Sequence, residues 1–148
     1  MLNTYEQMLD LVNQKLATVS VNGNLSTFKY AKRVMFDYLW DTNPLLSECR
    51  GHTYDNTTGE IVVAAPTKSF NYLENNWGRE LQPDTKVQIA KKYNGFLACV
   101  SKHEGEIVVS TTGSTYILYK SSERMSAIMA GTFASFEEQF KGIKGTIS

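Results

Sequence analysis

Apolar positions near the start of the chain recur at helical spacing, with Tyr5, Leu9, Val12 and Leu16 on one face. Thr4-Tyr5-Glu6-Gln7 just ahead has the form of a capping box, in which the Thr4 hydroxyl and the Gln7 amide satisfy backbone groups at a helix start. The pattern predicts an amphipathic helix to about Ala17, closed before the turn Asn22-Gly23-Asn24 and covering a sheet. From Thr27 to Trp40 the period shortens, and Phe28, Tyr30, Val34, Phe36, Tyr38 and Trp40 alternate as in a strand that ends at Asp41-Thr42-Asn43-Pro44. Glu48–Tyr54 and Glu60–Pro66 flank the polar turn Asp55–Gly59 and read as a hairpin. A polar loop over Asn75–Glu80 and Gln82-Pro83-Asp84 leads to Ile89–Val100, where two apolar runs flank Lys91, Lys92 and Asn94-Gly95. Asn-Gly favours the positive φ of a two-residue turn, so this is a second expected hairpin, with buried flanks and Lys92 near its mouth. A turn at His103–Glu106, a strand at Ile107–Ser110, a tip at Thr111–Ser114 and a short apolar run at Tyr116–Tyr119 follow. Ser122 then caps an expected last helix with Met125, Ile128, Met129, Phe133, Phe136 and Phe140 on one face, closed by Gly142 and Gly145. The sum is an α+β fold: a mainly antiparallel sheet of hairpins flanked by N- and C-terminal helices.

Length and composition narrow the setting. The 148 residues suit one domain with a real core, and 42% hydrophobic with 20% charged residues describes a globular chain. Fifteen basic and fifteen acidic residues cancel, so any nucleic-acid contact must come from a local patch. Lys29, Lys32 and Arg33 interleave with aromatics and could follow phosphates while bases stack, although the same alternation is what a half-buried strand shows, and that reading is the better supported. Cys49 and Cys99 have neither CxxC spacing nor a histidine cluster beside them, as expected of reduced thiols in an intracellular protein. The amphipathic start is no signal core and no run is long enough to span a bilayer, so the expectation is a cytoplasmic protein without a membrane partner.

Lys92 carries the candidate chemistry. An amine becomes nucleophilic when it loses its proton near neutral pH, which partial desolvation and the neighbouring Lys91 would both favour. Lys92-Tyr93-Asn94-Gly95 has the form of the Lys-x-(Asp/Asn)-Gly signature of covalent nucleotidyltransferases. Taken singly, the other residues have plain readings: Arg50 as a surface ion pair, Lys68 as a solvated cation, Phe70 as core. The ordered series Leu46–Gly51, Ala65–Asn71, Lys92–Gly95 and Thr111–Ser114 resembles the N-terminal half of the phage RNA ligase 1 family of ATP-dependent RNA repair ligases. There the successive elements are a Glu-Cys-Arg-Gly strand, a Lys-Phe-Phe-Asn segment, Lys-x-Asp-Gly and Ser-Lys-Gly-Ser. The match covers Leu46 to about Ala130, and the whole chain if the N-terminal helix is counted.

The resemblance implies that residues 1–148 form a single partial adenylation domain of the nucleotidyltransferase fold. It implies that Lys92 attacks the α-phosphate of ATP to give lysyl-AMP, that the AMP passes to an RNA 5′-phosphate, and that a 3′-hydroxyl displaces it to seal the strand, in tRNA or another nicked RNA. Arg50 and Lys68 would engage the nucleotide phosphates, Phe70 would shape the pocket, Asn94 and Gly95 would form the nucleophile turn, and Gly113 and Ser114 would lie on the phosphate side. Asn94 stands where the family usually has Asp, Ser69 replaces an aromatic, and Thr112 replaces a lysine. The family's later aromatic-Glu, Glu-Gly and paired-lysine motifs are not found in place. Glu104-Gly105 falls on a turn, Phe136-Glu137 in a helical stripe, and Lys141-Gly142-Ile143-Lys144 has the wrong spacing. Expulsion of pyrophosphate calls for Mg²⁺, and no carboxylate cluster to hold it is evident in the sequence. Three readings follow: half of a split ligase completed by a second subunit, an inactive nucleotide- or RNA-binding remnant, or an interaction module. The first is favoured.

Overall fold

The computed structural model describes residues 3–92, 97–117 and 146–147. Helix α1 (Tyr5–Asn13) opens with the expected capping box, Gln7 N–H donating to Thr4 Oγ1 at 3.2 Å and Thr4 N–H to Gln7 Oε1 at 2.9 Å. It stops well short of Ala17. Lys15 takes a left-handed φ of 59°, Lys15 N–H returns to the Val12 carbonyl and Leu16 N–H to the Leu11 carbonyl, each at 2.9 Å. That is a Schellman closure with a lysine where glycine is usual, and it buries Leu11 and Leu16 in the same cluster.

The chain then forms β1 (Ala17–Asn22), turns on Gly23 and Asn24 with Gly23 at φ 60°, and returns as β2 (Leu25–Tyr30). The expected strand from Thr27 to Trp40 therefore ends at Tyr30. Tyr30 N–H still reaches the Cys49 carbonyl and Ala31 N–H the Leu16 carbonyl, but β1 begins at Ala17 and β3 (Arg50–Asp55) at Arg50, so a longer β2 would have no ladder to join. A short helix α2 (Lys32–Phe36) with Val34 buried takes its place, followed by helical turns at Leu39–Thr42 and Pro44–Ser47. β3 pairs with β4 (Ile61–Val63) as the expected hairpin, giving an antiparallel sheet of order β1-β2-β3-β4.

The second sheet contains β5 (Cys99–His103), β6 (Glu106–Ser110), β7 (Thr115–Ile117) and β8 (Thr146–Ile147) in the order β7-β6-β5-β8, again antiparallel. β5 and β6 join through Glu104 and Gly105, with φ of 49° and 83°, as a two-residue hairpin turn requires. Glu104-Gly105 is thus a turn, as its place in the sequence implied. The expected strand before Lys92 is not formed: residues 85–92 carry no regular structure, and Val87 and Ile89 are exposed, Ile89 at 89%. The expected C-terminal helix from Ser122 lies outside the described residues. Among those described, no helix is long and apolar enough to cross a membrane.

Among the described residues, two apolar clusters fill the fold. One joins α1 to the first sheet through Tyr5, Phe28 and Tyr54, whose rings meet with centroids 5.7–5.9 Å apart. The other gathers Leu25, Val62, Val63, Cys99 and Val108 where the sheets meet. The sheets are also joined by polar contacts. The hydroxyls of Thr27, Thr53 and Thr115 close a buried ring, with Thr27–Thr53 and Thr53–Thr115 each at 2.9 Å, and Asn22 Nδ2 donates to the Thr115 carbonyl at 2.9 Å. Each hydroxyl has a partner, so the burial does not leave an orphan polar atom.

Candidate functional site

Arg50 opens β3, its N–H held at 2.8 Å by the Glu48 carbonyl. The Glu48 carboxylate faces elsewhere, accepting from Asn3 Nδ2 at 2.9 Å and lying 3.9 Å from His52 Nε2. Among the described residues the Arg50 side chain has no carboxylate partner, so the surface ion pair that is its plainest reading is not formed. Gly51, next along, has φ 107° and packs so closely on the tip after β6 that a Cβ would sit 2.6 Å from the Thr111 carbonyl oxygen and 3.2 Å from Thr112 Cα. The tip is tied to itself: Thr111 N–H donates to the Ser114 carbonyl at 2.8 Å, Gly113 N–H to Thr111 Oγ1 at 3.4 Å, and the Thr111 and Ser114 hydroxyls stand 3.3 Å apart. Leu46–Gly51 and Thr111–Ser114, two of the four motif stretches, therefore meet at Gly51.

Gly51→Ala is expected to cost about 1–3 kcal/mol, because a methyl group at a positive φ meets backbone atoms that cannot rotate away. Urea denaturation measures the loss. An alanine variant as stable as the parent would show that the tip is not seated on β3.

Lys68 and Phe70 form a second group. Lys68 N–H donates to the Ser47 carbonyl at 2.7 Å, hanging this segment from the turn that leads into Arg50. The Lys68 amine lies 5.0 Å from the centroid of the Trp40 ring and 4.7 Å from that of Phe70, and the two rings meet edge to face at 5.5 Å. Lys68 is thus oriented by two aromatic faces. Trp40, Asp41, Pro44, Ser47, Phe70 and Asn75 line a surface cleft of about 290 Å³ beside it. Phe70 is half-buried, so it is both core and cleft wall.

Lys92 is exposed and makes no hydrogen bond or ion pair with any described residue. Asn94 and Gly95 lie outside the described residues. The geometry therefore seats Gly51, the neighbour of Arg50, on Thr111 and Thr112, sets Lys68 on Phe70, and gives no contact between Lys92 and either group. Lys29, Trp40 and Gly51 also belong to this region, although the motif series assigned none of them a role in the site. The signal for the first two lay in the basic aromatic stretch, and for Gly51 in the glycine directly after Arg50.

Asp55, His103 and Glu104 bring donor atoms within 4.8 Å of one another. They do not fit Mg²⁺. Asp55 Oδ1 already accepts from the N–H and hydroxyl of Thr57 and the N–H of Thr58, and Oδ2 from Asn24 and His103, each of the last two at 3.0 Å. A buried carboxylate so occupied, with an imidazole beside it, is a cap on the β3–β4 turn; Mg²⁺ asks for open oxygen ligands. The thiols offer no chemistry either: both are buried, and burial pushes Cys49 up to about 12 and raises Cys99. Comparison of the chain with protein-family models, curated proteins and solved structures yields no match.

Proposed function

We propose that this chain supplies the nucleophile and the phosphate-side wall of an ATP-dependent RNA ligase, a partial nucleotidyltransferase domain of a cytoplasmic RNA-repair enzyme. The neutral amine of Lys92 attacks the α-phosphorus of ATP. A nitrogen–phosphorus bond forms, the bond to the bridging oxygen of pyrophosphate breaks, and the amine's proton goes to solvent. The AMP then passes to an RNA 5′-phosphate, and a 3′-hydroxyl displaces it. Arg50 and Lys68 offset the charge that develops on the phosphates, and a second subunit supplies the groups that hold Mg²⁺ and the nucleoside.

The observation that carries this reading is the seating of Gly51 on Thr111 and Thr112, which brings the strand that bears Arg50 against a hydroxyl-rich tip of the kind that can cradle phosphate. The RNA partner draws support from α2 and the turn after it, where Phe36 and Tyr38 stand 67% and 80% exposed near Lys32 and Arg33, rings and cations on one surface element.

The test is incubation with Mg²⁺ and ATP labelled at the α-phosphate, with the chain alone and mixed with candidate partner polypeptides, followed by peptide mapping. Label on Lys92 is expected. Absence of label under every condition overturns the enzymatic reading, and equilibrium dialysis with ATP then decides whether the chain binds nucleotide without catalysis.

A further inference from the structure

Lys29 occupies a position that its place in the basic aromatic stretch did not reveal. It is the Cα partner of Arg50 across the β2–β3 ladder, just past the register shift between Phe28 and Lys29. Its side chain runs over the tip after β6: a Cβ on Gly113 would lie 3.3 Å from Lys29 Cδ and 3.9 Å from Nζ. Gly113 lets that stem lie close over the tip while the ammonium stays in water. Among the described residues neither Lys29 nor Arg50 has a carboxylate within ion-pair distance. Two cations on paired strands, the first of them lying on a turn that bears the Thr111 and Ser114 hydroxyls, are thus left without a carboxylate partner, and an anion between them would be attracted by both.

We infer that Lys29 and Arg50, with the Thr111–Ser114 turn, form a binding site for phosphate oxyanions. Lys29 supplies there the positive charge that Thr112 does not. The ligand is polyanionic, because one oxyanion can take a planar guanidinium fork from one strand while a neighbouring one meets the point charge of the lysine. Two sources present such oxyanions, the phosphate chain of a nucleoside triphosphate and the 5′-terminal phosphate of an RNA. This inference rests on the proposed function for its place in a reaction, but not for the binding itself.

The experiment measures affinity of the full chain by calorimetry for inorganic tripolyphosphate, and separately for a short RNA with a 5′-phosphate against the same RNA with a 5′-hydroxyl. Lys29→Gln is expected to weaken one of these interactions about tenfold, the loss of one charge-assisted contact. Lys29→Arg should keep most of the affinity, and adding Thr112→Lys to Lys29→Gln should restore it by returning a cation to the tip. Lys102→Gln, which removes an exposed lysine on β5, should change nothing. Loss confined to tripolyphosphate assigns the site to the nucleotide, and loss of the preference for 5′-phosphate assigns it to RNA. The inference is overturned if Lys29→Gln binds both probes as the parent does, or if the parent binds neither at about millimolar concentration. A chain that binds tripolyphosphate through Lys29 but never takes label on Lys92 refutes the ligase reading alone. Label on Lys92 with Lys29→Gln indifferent to both probes refutes Lys29 alone.

Discussion

Lys92→Arg should abolish transfer of label from ATP to the chain, leaving no residual activity above background, while the unfolding midpoint stays where it was. The two halves of this expectation come from different physics. Arginine keeps the positive charge and much of the reach of lysine, but its guanidinium remains protonated at every accessible pH and offers no lone pair to the α-phosphorus. Binding of ATP should therefore survive with chemistry lost, a pattern that a charge-neutralising variant such as Lys92→Ala would not isolate. Stability should move by no more than about 0.5 kcal/mol, since Lys92 is exposed, lies on a stretch without regular structure and has no hydrogen bond or ion pair among the described residues. A Lys92→Arg protein that still becomes labelled would place the nucleophile elsewhere, with Lys91 the nearest amine. A variant that loses both label and ATP binding would make Lys92 a binding residue and leave the covalent step without a carrier.

The parts of the fold legible from the sequence are those where a local signal and the tertiary partner agree. Thr4 to Gln7 encodes a capping box and the structure contains one, because both halves of the motif are satisfied within the same turn. The β3–β4 and β5–β6 strands were legible from apolar runs separated by turn residues. β1 was not. Its residues Ala17–Asn22 alternate apolar and polar, but the run directly continues the helical pattern, and the helix before it ends on Lys15, a left-handed residue with nothing in its identity to announce it. The aromatic alternation after Tyr30 misled for a related reason. A strand is specified by its neighbours as well as by its own period, and beyond Ala17 and Arg50 no neighbour remains, so Phe36 and Tyr38 end up exposed on a helix and a turn. The site shows the same division. Motif order pointed to Arg50, Lys68, Phe70 and the Thr111–Ser114 tip, but the placement of Lys29 over Gly113 depends on strand register and on a bulge, neither of which a linear pattern contains. Nor could a sequence alone show that Lys68 faces Trp40, since these residues meet only through folding of the turns between β2 and β3.

Asp55→Ala is expected to cost about 3–5 kcal/mol, the largest loss of stability anticipated for a single side chain here, because it strips a buried acceptor from several donors at once. The Thr57 hydroxyl and N–H, the Thr58 N–H, Asn24 and His103 all converge on that carboxylate, which ties the β3–β4 turn to the β2 side of the sheet and to the end of β5. The same contacts, led by the Thr57 hydroxyl and opposed by burial, hold its pKa well below the usual carboxylate range. Since the unfolded chain then binds the proton more readily than the folded one, this contribution is complete above the unfolded value of about 3.9 and is lost as pH falls toward the folded value. His52 acts in a higher window. Burial lowers its pKa, against the opposing pull of Glu48, so the folded state holds a neutral imidazole whose contribution is present above about 6.5 and declines below it. Urea denaturation from neutral to acid pH should therefore show a decline with two windows in the parent. In Asp55→Ala the part below about pH 4 should be flattened while the part that begins near 6.5 is kept. A variant with an unchanged slope in the lower window would mean that Asp55 is not the carboxylate whose protonation unfastens the first sheet from β5.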